Sequence, residues 1–202
     1  MSKLHVKTVR RLRRSSNGML MTPEEFDAVT EVDELYVYEL IHGVLIVSPP
    51  PDEGERDPNE ELGHLLRIYR DQDGSRFDKT LPEHHVHTTD SRRRADRVIW
   101  AGLGRVPDPA VDIPTIVVEF VSKSKRDRQR DYEEKRREYL ALGVAEYWII
   151  DRFRRVMKVY RASEPAEQVI EASATYRTAL LPGFELPLGR LLALADQWKR
   201  PR

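Results

Sequence analysis

The chain has 202 residues, enough for one domain with a sizeable core, and its 34 Lys plus Arg balance 34 Asp plus Glu to a net charge of zero. That neutrality offers no bulk attraction to nucleic acid, so any such binding has to come from local patches. The absence of cysteine excludes disulfides, thiolate metal sites and a cysteine nucleophile. No apolar run approaches the ~18 residues of a membrane span, and the N-terminus lacks an apolar signal-peptide core, which points to a cytoplasmic protein with no membrane partner.

Residues 1–18 carry six Lys/Arg and no acid, and Ser15-Ser16-Asn17-Gly18 reads as a flexible junction. Residues 1–20 are therefore expected to be a basic, flexible leader, and 21–202 a single domain. The functional alternative for the leader is an arm that touches phosphates. Thr22-Pro23-Glu24-Glu25 is a helix start, with Thr as N-cap, Pro at N1 and Glu at N3. Residues 36–48 read as two strands joined at His42-Gly43, where glycine permits a positive φ, with Glu39 among apolar neighbours. A proline-rich loop over 49–58 leads into an amphipathic helix over 59–69, marked by Leu62, Leu65, Leu66 and Tyr69.

The stretch 77–100 is the least regular. His84, His85 and His87 read as a polar edge strand rather than a zinc site, because strand neighbours point to opposite faces and no ligand set with zinc spacing accompanies them. Arg92-Arg93-Arg94 reads as a basic turn before a strand over 95–100. On that strand Asp96, Val98 and Trp100 share one face, which sets an aspartate on an apolar side. Pairing with Arg94 or Arg97 is its simplest explanation.

The organising stretch is 116–151. Ile116, Val117 and Val118 read as a buried strand, yet Glu119 follows them directly. A buried ionised carboxylate costs several kcal/mol unless it is paired, hydrogen-bonded or metal-bound. A helix is predicted over 127–142. Tyr132, Tyr139 and Leu142 share one of its faces, and Lys135 lies on that face while Arg136 and Arg137 turn to solvent. Gly143 ends the helix, and 146–151 is the next strand. This strand–helix–strand unit aims one carboxylate and one lysine at a common region. A turn at 152–155, an antiparallel strand over 156–161, a turn at 164–166, a late strand over 175–180 and a closing helix over 187–198 complete the chain.

Asp96 on one strand, Glu119 on the next, then Lys135, resembles the PD-(D/E)XK nuclease superfamily, and more closely its Uma-type restriction endonuclease family. The matching stretches are TPEEF at 22–26, YELIHGVLIVSPP at 38–50, VVEFVSKS at 117–124, the D-x-x-x-K-x-x-x-Y pattern from Asp131 to Tyr139, GVAEYWIID at 143–151 and LLPGFELPL at 180–188. The resemblance implies an α/β fold: a restriction-endonuclease-like core with a central mixed sheet flanked by helices, an N-terminal hairpin and extra C-terminal strands. It implies that Asp96, Glu119 and the backbone carbonyl of Phe120 bind a metal, that Lys135 replaces the lysine usual two residues after the Glu, where Val121 stands, and that Glu39 is a further acidic group of the site. It also implies DNA as partner, no organic cofactor, and a homodimer for cutting both strands. The chain departs from the family at Ala95 for proline, Arg97 after the metal-binding Asp, His42 for Asp and Asn59 for His.

Mg²⁺ prefers such oxygen ligands and keeps several waters, with Mn²⁺ as a substitute. Held by Asp96 and Glu119, it would stabilise charge on a phosphodiester and acidify the attacking water, which Lys135 would orient or help deprotonate. Arg92, Arg93, Arg94, Lys123, Lys125 and Arg126 flank the site in sequence and are candidates for phosphate contacts. The expectation is thus a Mg²⁺-dependent DNA endonuclease. The alternative is a catalytically weak or inactive nucleic-acid-binding domain that keeps the fold.

Overall fold

The computed structural model describes residues 11–74, 76–124, 130–164 and 166–198. They fall into two units: one drawn from Met1–Pro50 and His85–Arg94, the other from Pro51–His84 and Ala95–Arg202.

The first unit is built on the predicted hairpin. Strands β3 (Val37–Ile41) and β4 (Val44–Ser48) pair antiparallel. Both turn residues, His42 (φ 48°) and Gly43 (φ 77°), are left-handed, as the tight hairpin twist demands. His42 is held there by Nδ1, which lies 2.8 Å from Asp90. Helix α1 (Pro23–Asp27) starts as expected: Thr22 Oγ1 accepts the Glu25 N–H, and Glu25 Oε2 accepts the Thr22 N–H. Residues 11–20 carry regular structure, in contrast to the expected loose leader. β1 (Arg11–Leu12) pairs parallel with β2 (Glu31–Val32), a 3₁₀ turn spans Arg14–Ser16, and Gly18 and Asn17 hydrogen-bond to β4. Leu12, Met21, Tyr38, Leu40 and Leu45 form the small core beneath. The rest of the leader, 1–10, lies outside the described residues.

Arg92-Arg93-Arg94 is not a turn. It opens strand β6 (Arg92–Ala101), which contributes Arg92–Arg94 to the first unit and its remainder to the second. Arg92 and Arg93 are buried, and Arg92 forms a two-point ion pair with Asp27 (2.9 and 2.7 Å). A partner 65 residues away let arginine occupy a buried strand position.

The second unit is a mixed sheet in the order β10–β9–β8–β7–β6. β7 (Ile116–Phe120) and β8 (Glu146–Asp151) run parallel, whereas β6–β7, β8–β9 (Val156–Tyr160) and β9–β10 (Gln168–Glu171) are antiparallel. The irregular stretch is also a strand: β5 (Phe77–His87) pairs with β6. The late strand is only Thr175–Tyr176 (β11), paired with Leu186–Pro187 (β12), and β10 had no counterpart in the sequence reading.

Helices flank this sheet. α2 (Glu53–Asp73) and α4 (Leu188–Gln197) cover one face, with Leu62, Leu66, Leu188, Leu191 and Leu192 packed on Ile116, Val118, Phe120, Trp148 and Ile150. α2 starts six residues before the predicted helix and carries Pro58 inside it. Because Pro58 is its sixth residue, only the carbonyl one turn earlier loses a donor. Alternation then turns Val117, Glu119, Tyr147 and Ile149 to the opposite face. A π-helical segment (Arg130–Lys135) and helix α3 (Arg136–Leu142) cover that face, with the Tyr139 and Tyr147 rings 5.3 Å apart. Gly143 ends α3 at φ 107°, as predicted. Among the described residues no helix is long and apolar enough to cross a membrane.

Candidate active site

The site sits on the α3-covered face of the second unit, where β6 and β7 lie side by side. Their register pairs Arg97 with Val118, and one step further sets Asp96 opposite Glu119. The Asp96 carboxylate accepts the Phe120 N–H at 2.6 Å. Its own carbonyl accepts from Asn59 Nδ2 at 2.8 Å. Asp96 is thus fixed from both neighbouring elements, α2 and β7. Of the two arginines offered as alternative partners for Asp96, Arg97 faces the other side, with Nε on Asn59 Oδ1 at 2.7 Å.

Glu119 is 2% exposed. Lys135 Nζ donates to its Oε1 at 2.9 Å, and Tyr139 OH to the same oxygen at 3.4 Å. Oε2 has no hydrogen-bond donor among the described residues. Burial pushes the Glu119 carboxyl well above the usual range; the Lys135 ammonium opposes this, and Asp96 and Asp131 reinforce it. Lys135 is itself 4% exposed and lies 3.6 Å from Asp131 Oδ1. The lysine therefore points at the sheet, as its helical phase required. The phase of Arg136 is less simple: its guanidinium stacks 4.9 Å from the Tyr160 ring centroid instead of standing in solvent.

Three members of this cluster were not singled out from sequence. Asp131 is 5% exposed and joins Lys135 one turn away. The D-x-x-x-K spacing sets it one helical turn before Lys135 on the same face, which is the signal that could have found it. Glu55 and Arg152 were hidden because 49–58 reads as loop and 152–155 as a turn. Arg152 Nη2 donates to Asp52 Oδ2 at 2.9 Å and to Glu55 Oε1 at 3.4 Å. Lys123 Nζ lies 3.2 Å from the same Asp52 oxygen. Burial, then Asp96 and Asp52, push the Glu55 carboxyl up to about 8. Burial raises Asp52 as well, but Arg152 and Lys123 hold it below the ordinary carboxylate value.

Glu39 lies in the first unit, on β3, 6% exposed, and its Oε1 accepts the Arg94 N–H at 3.0 Å. Lys125 and Arg126, proposed for phosphate contacts, lie outside the described residues.

The donor set fits a hard divalent cation. Asp96 and Glu119 are adjacent carboxylates, the Phe120 carbonyl follows directly, and Glu119 has an undonated oxygen. No three His, Cys, Asp or Glu side chains converge as a cage among the described residues, so water would complete the coordination, as Mg²⁺ favours.

The raised Glu55 gives a pH expectation for the metal-free protein. Its folded value of about 8 lies above the unfolded 4.5, so the folded state holds this proton more tightly. The stability it contributes is complete below pH 4.5 and is lost as pH rises to 8. The melting temperature in chelator should fall across that window, and Glu55→Gln should flatten the fall. A parent curve that rises from pH 5 to 8 would contradict the assignment.

Parallel β7 and β8 joined by a helical crossover, with an antiparallel partner strand carrying Asp96, define a restriction-endonuclease-like fold. A protein from Anabaena variabilis ATCC 29413, described as "a putative nuclease belonging to DUF820", has this fold: TM-score 0.68 and 17% identity, over 87% of this chain and 99% of that chain. The Uma2 family model, described as "Putative restriction endonuclease", matches residues 23–189, and the chain belongs to that family. No curated protein matches the chain.

Proposed function

We propose that the protein is a metal-dependent endonuclease that hydrolyses DNA phosphodiester bonds. The observation that carries the reading is Glu119: a buried carboxylate beside Asp96, bonded through one oxygen to Lys135 and open at the other. The family and the fold neighbour support a nuclease generally. Asp96, Glu119 and the Phe120 carbonyl would hold Mg²⁺, which when bound offsets charge on the phosphodiester and lowers the pKa of water.

The protein's own residues divide the remaining work. Asn59 and the Phe120 N–H fix Asp96 from two sides, so its carboxylate is oriented before a cation arrives. Lys135, held between Glu119 and Asp131, keeps its ammonium beside the water that attacks phosphorus. The ammonium, already protonated, orients that water and offsets charge on the phosphoryl oxygens as the water's oxygen bonds to phosphorus, its proton passes to a phosphoryl oxygen and one P–O ester bond breaks. Asp131 limits the rotamers of Lys135, and burial of the pair excludes bulk water.

Calorimetric titration with Mg²⁺ and Mn²⁺, followed by cleavage of plasmid DNA, tests this. One divalent ion should bind with measurable heat, Asp96→Asn should weaken it by roughly tenfold or more, and chelator should stop cleavage. Parent protein that binds neither ion would refute the proposal.

A further inference from the structure

We propose that Arg152, Lys123 and the N-terminus of α2 form a phosphate subsite, which holds a backbone phosphate of the nucleic acid next to the bond being cut. This rests on the nuclease reading above and adds a substrate-binding element to it.

The first observation is Arg152. Its side chain is only 10% exposed, and its Nε is a buried donor with no hydrogen-bond partner among the described residues. Buried polar atoms are nearly always satisfied, so a buried guanidinium nitrogen without an acceptor marks a place where a water or a ligand belongs. The acceptor that matches an arginine edge best is a phosphate or carboxylate oxygen. Ser122 Oγ, which can donate, is also buried without a partner, and Ser122 adjoins Lys123, whose ammonium reaches Asp52.

The second observation is the helix end. Asp52 occupies the N-cap of a 21-residue helix, yet its side chain makes no capping hydrogen bond. Its carboxylate instead bridges Arg152 and Lys123. The first amides of α2, with the positive end of the helix dipole, are left without a side-chain acceptor. Two cations therefore converge on an uncapped helix N-terminus, with one aspartate holding them in place.

Position connects this cluster to the chemistry. A small cavity beside Arg152 is lined mostly by apolar side chains, among them Phe120, Ile150 and Leu191, so it shows only that Arg152 neighbours residue 120, whose carbonyl is proposed as a metal ligand. Glu55, to which Arg152 also donates, feels the charge of Asp96. A phosphate on Arg152 would thus be one of those flanking the scissile group.

Gly54 supplies an unusual handle. A Cβ at this position would stand 1.7 Å from Arg152 Nη1 and 3.0 Å from its Cζ. The obstacle is the far end of a flexible side chain, so Gly54→Ala would move the guanidinium without disturbing the backbone, and alanine suits a helix better than glycine.

Steady-state cleavage of an oligonucleotide duplex, and binding of the same duplex in Ca²⁺ at several salt concentrations, test the proposal. Arg152→Gln should raise KM about tenfold with kcat changed less than threefold, and lower the salt slope of binding by about 0.9, one phosphate contact. Arg152→Lys should recover part of the loss. Gly54→Ala should reproduce the KM rise with no lower melting temperature, and the double variant should be no worse than Arg152→Gln alone. If the parent cleaves and both single variants keep its KM and salt slope, the subsite is wrong and the nuclease reading stands. If the parent neither binds nor cleaves DNA with a divalent cation present, the nuclease reading fails and takes the subsite with it.

Discussion

Lys135→Met should lower the rate of DNA cleavage by about two orders of magnitude or more, while folding and metal binding persist. Methionine keeps most of the stem's volume among Tyr139, Tyr147 and the sheet. What disappears is the ammonium 2.9 Å from Glu119 and 3.6 Å from Asp131. Removing one partner of a buried ion pair usually leaves an uncompensated charge and costs about 3–5 kcal/mol. Here burial already drives the Glu119 carboxyl upward, so in the variant it takes up a proton and most of that cost is avoided. A divalent cation would displace the proton again, and metal titration should still show binding with a steeper pH dependence. Lys135→Arg should not rescue turnover, since a planar, forked guanidinium does not reproduce the compact ammonium held between Glu119 and Asp131. A Lys135→Met protein that cuts DNA as fast as the parent would remove lysine from the mechanism.

The features legible in the sequence were those decided within a few residues. Thr22 and Glu25 cap α1 because both donors and both acceptors lie in one turn. Gly43 and Gly143 mark a hairpin and a helix end because the left-handed backbone there favours glycine. The β7–helix–β8 unit, the burial of Glu119 and the inward phase of Lys135 follow from periods of 2 and 3.6 over a single stretch. The π-helical path of Arg130–Lys135 alters the pitch, but not enough to turn Lys135 away.

What stayed hidden depended on partners distant in the chain. Pro58 and the prolines before it made 49–58 look like loop, which concealed the first turn of α2 and with it Glu55. Arg152 read as a turn residue, because nothing near it in sequence predicts Asp52, 100 residues earlier. Arg92 reads as part of a basic turn and Arg97 as an interruption of an apolar strand, yet Asp27 and Asn59 make burial tolerable for each. β5 is a long strand rich in charged and histidine residues, where the usual alternation is absent; Thr80 Oγ1 donating to the Val98 carbonyl ties it to β6.

Two departures from the family pattern, Asn59 and Arg97, prove to be one device, and Asn59→Ala should therefore destabilise the second unit strongly. Asn59 Oδ1 accepts Arg97 Nε at 2.7 Å, its carbonyl accepts Arg97 Nη2 at 2.9 Å, and its Nδ2 donates to the Asp96 carbonyl at 2.8 Å. Arg97 is 2% exposed, and burial pulls its pKa down to about 10. It lies flat beneath α2 because residue 63 is glycine; a Cβ there would stand 2.7 Å from Nη2. Alanine at 59 removes the acceptor for a buried charged donor and the donor for the Asp96 carbonyl together. Unpaired groups of this kind cost about 1–3 kcal/mol each, so a loss of about 3 kcal/mol is expected. At 2–4 °C per kcal/mol for a chain of this size, that is a fall of roughly 10 °C in melting temperature. Asn59→Leu combined with Arg97→Met should recover much of it, since both polar partners are then replaced by apolar volume. Such a protein would be stable yet slow, because Asp96 keeps its hydrogen bond to Phe120 and loses the one that held its backbone. An Asn59→Ala variant melting within 2 °C of the parent would show that Arg97 finds its partners elsewhere.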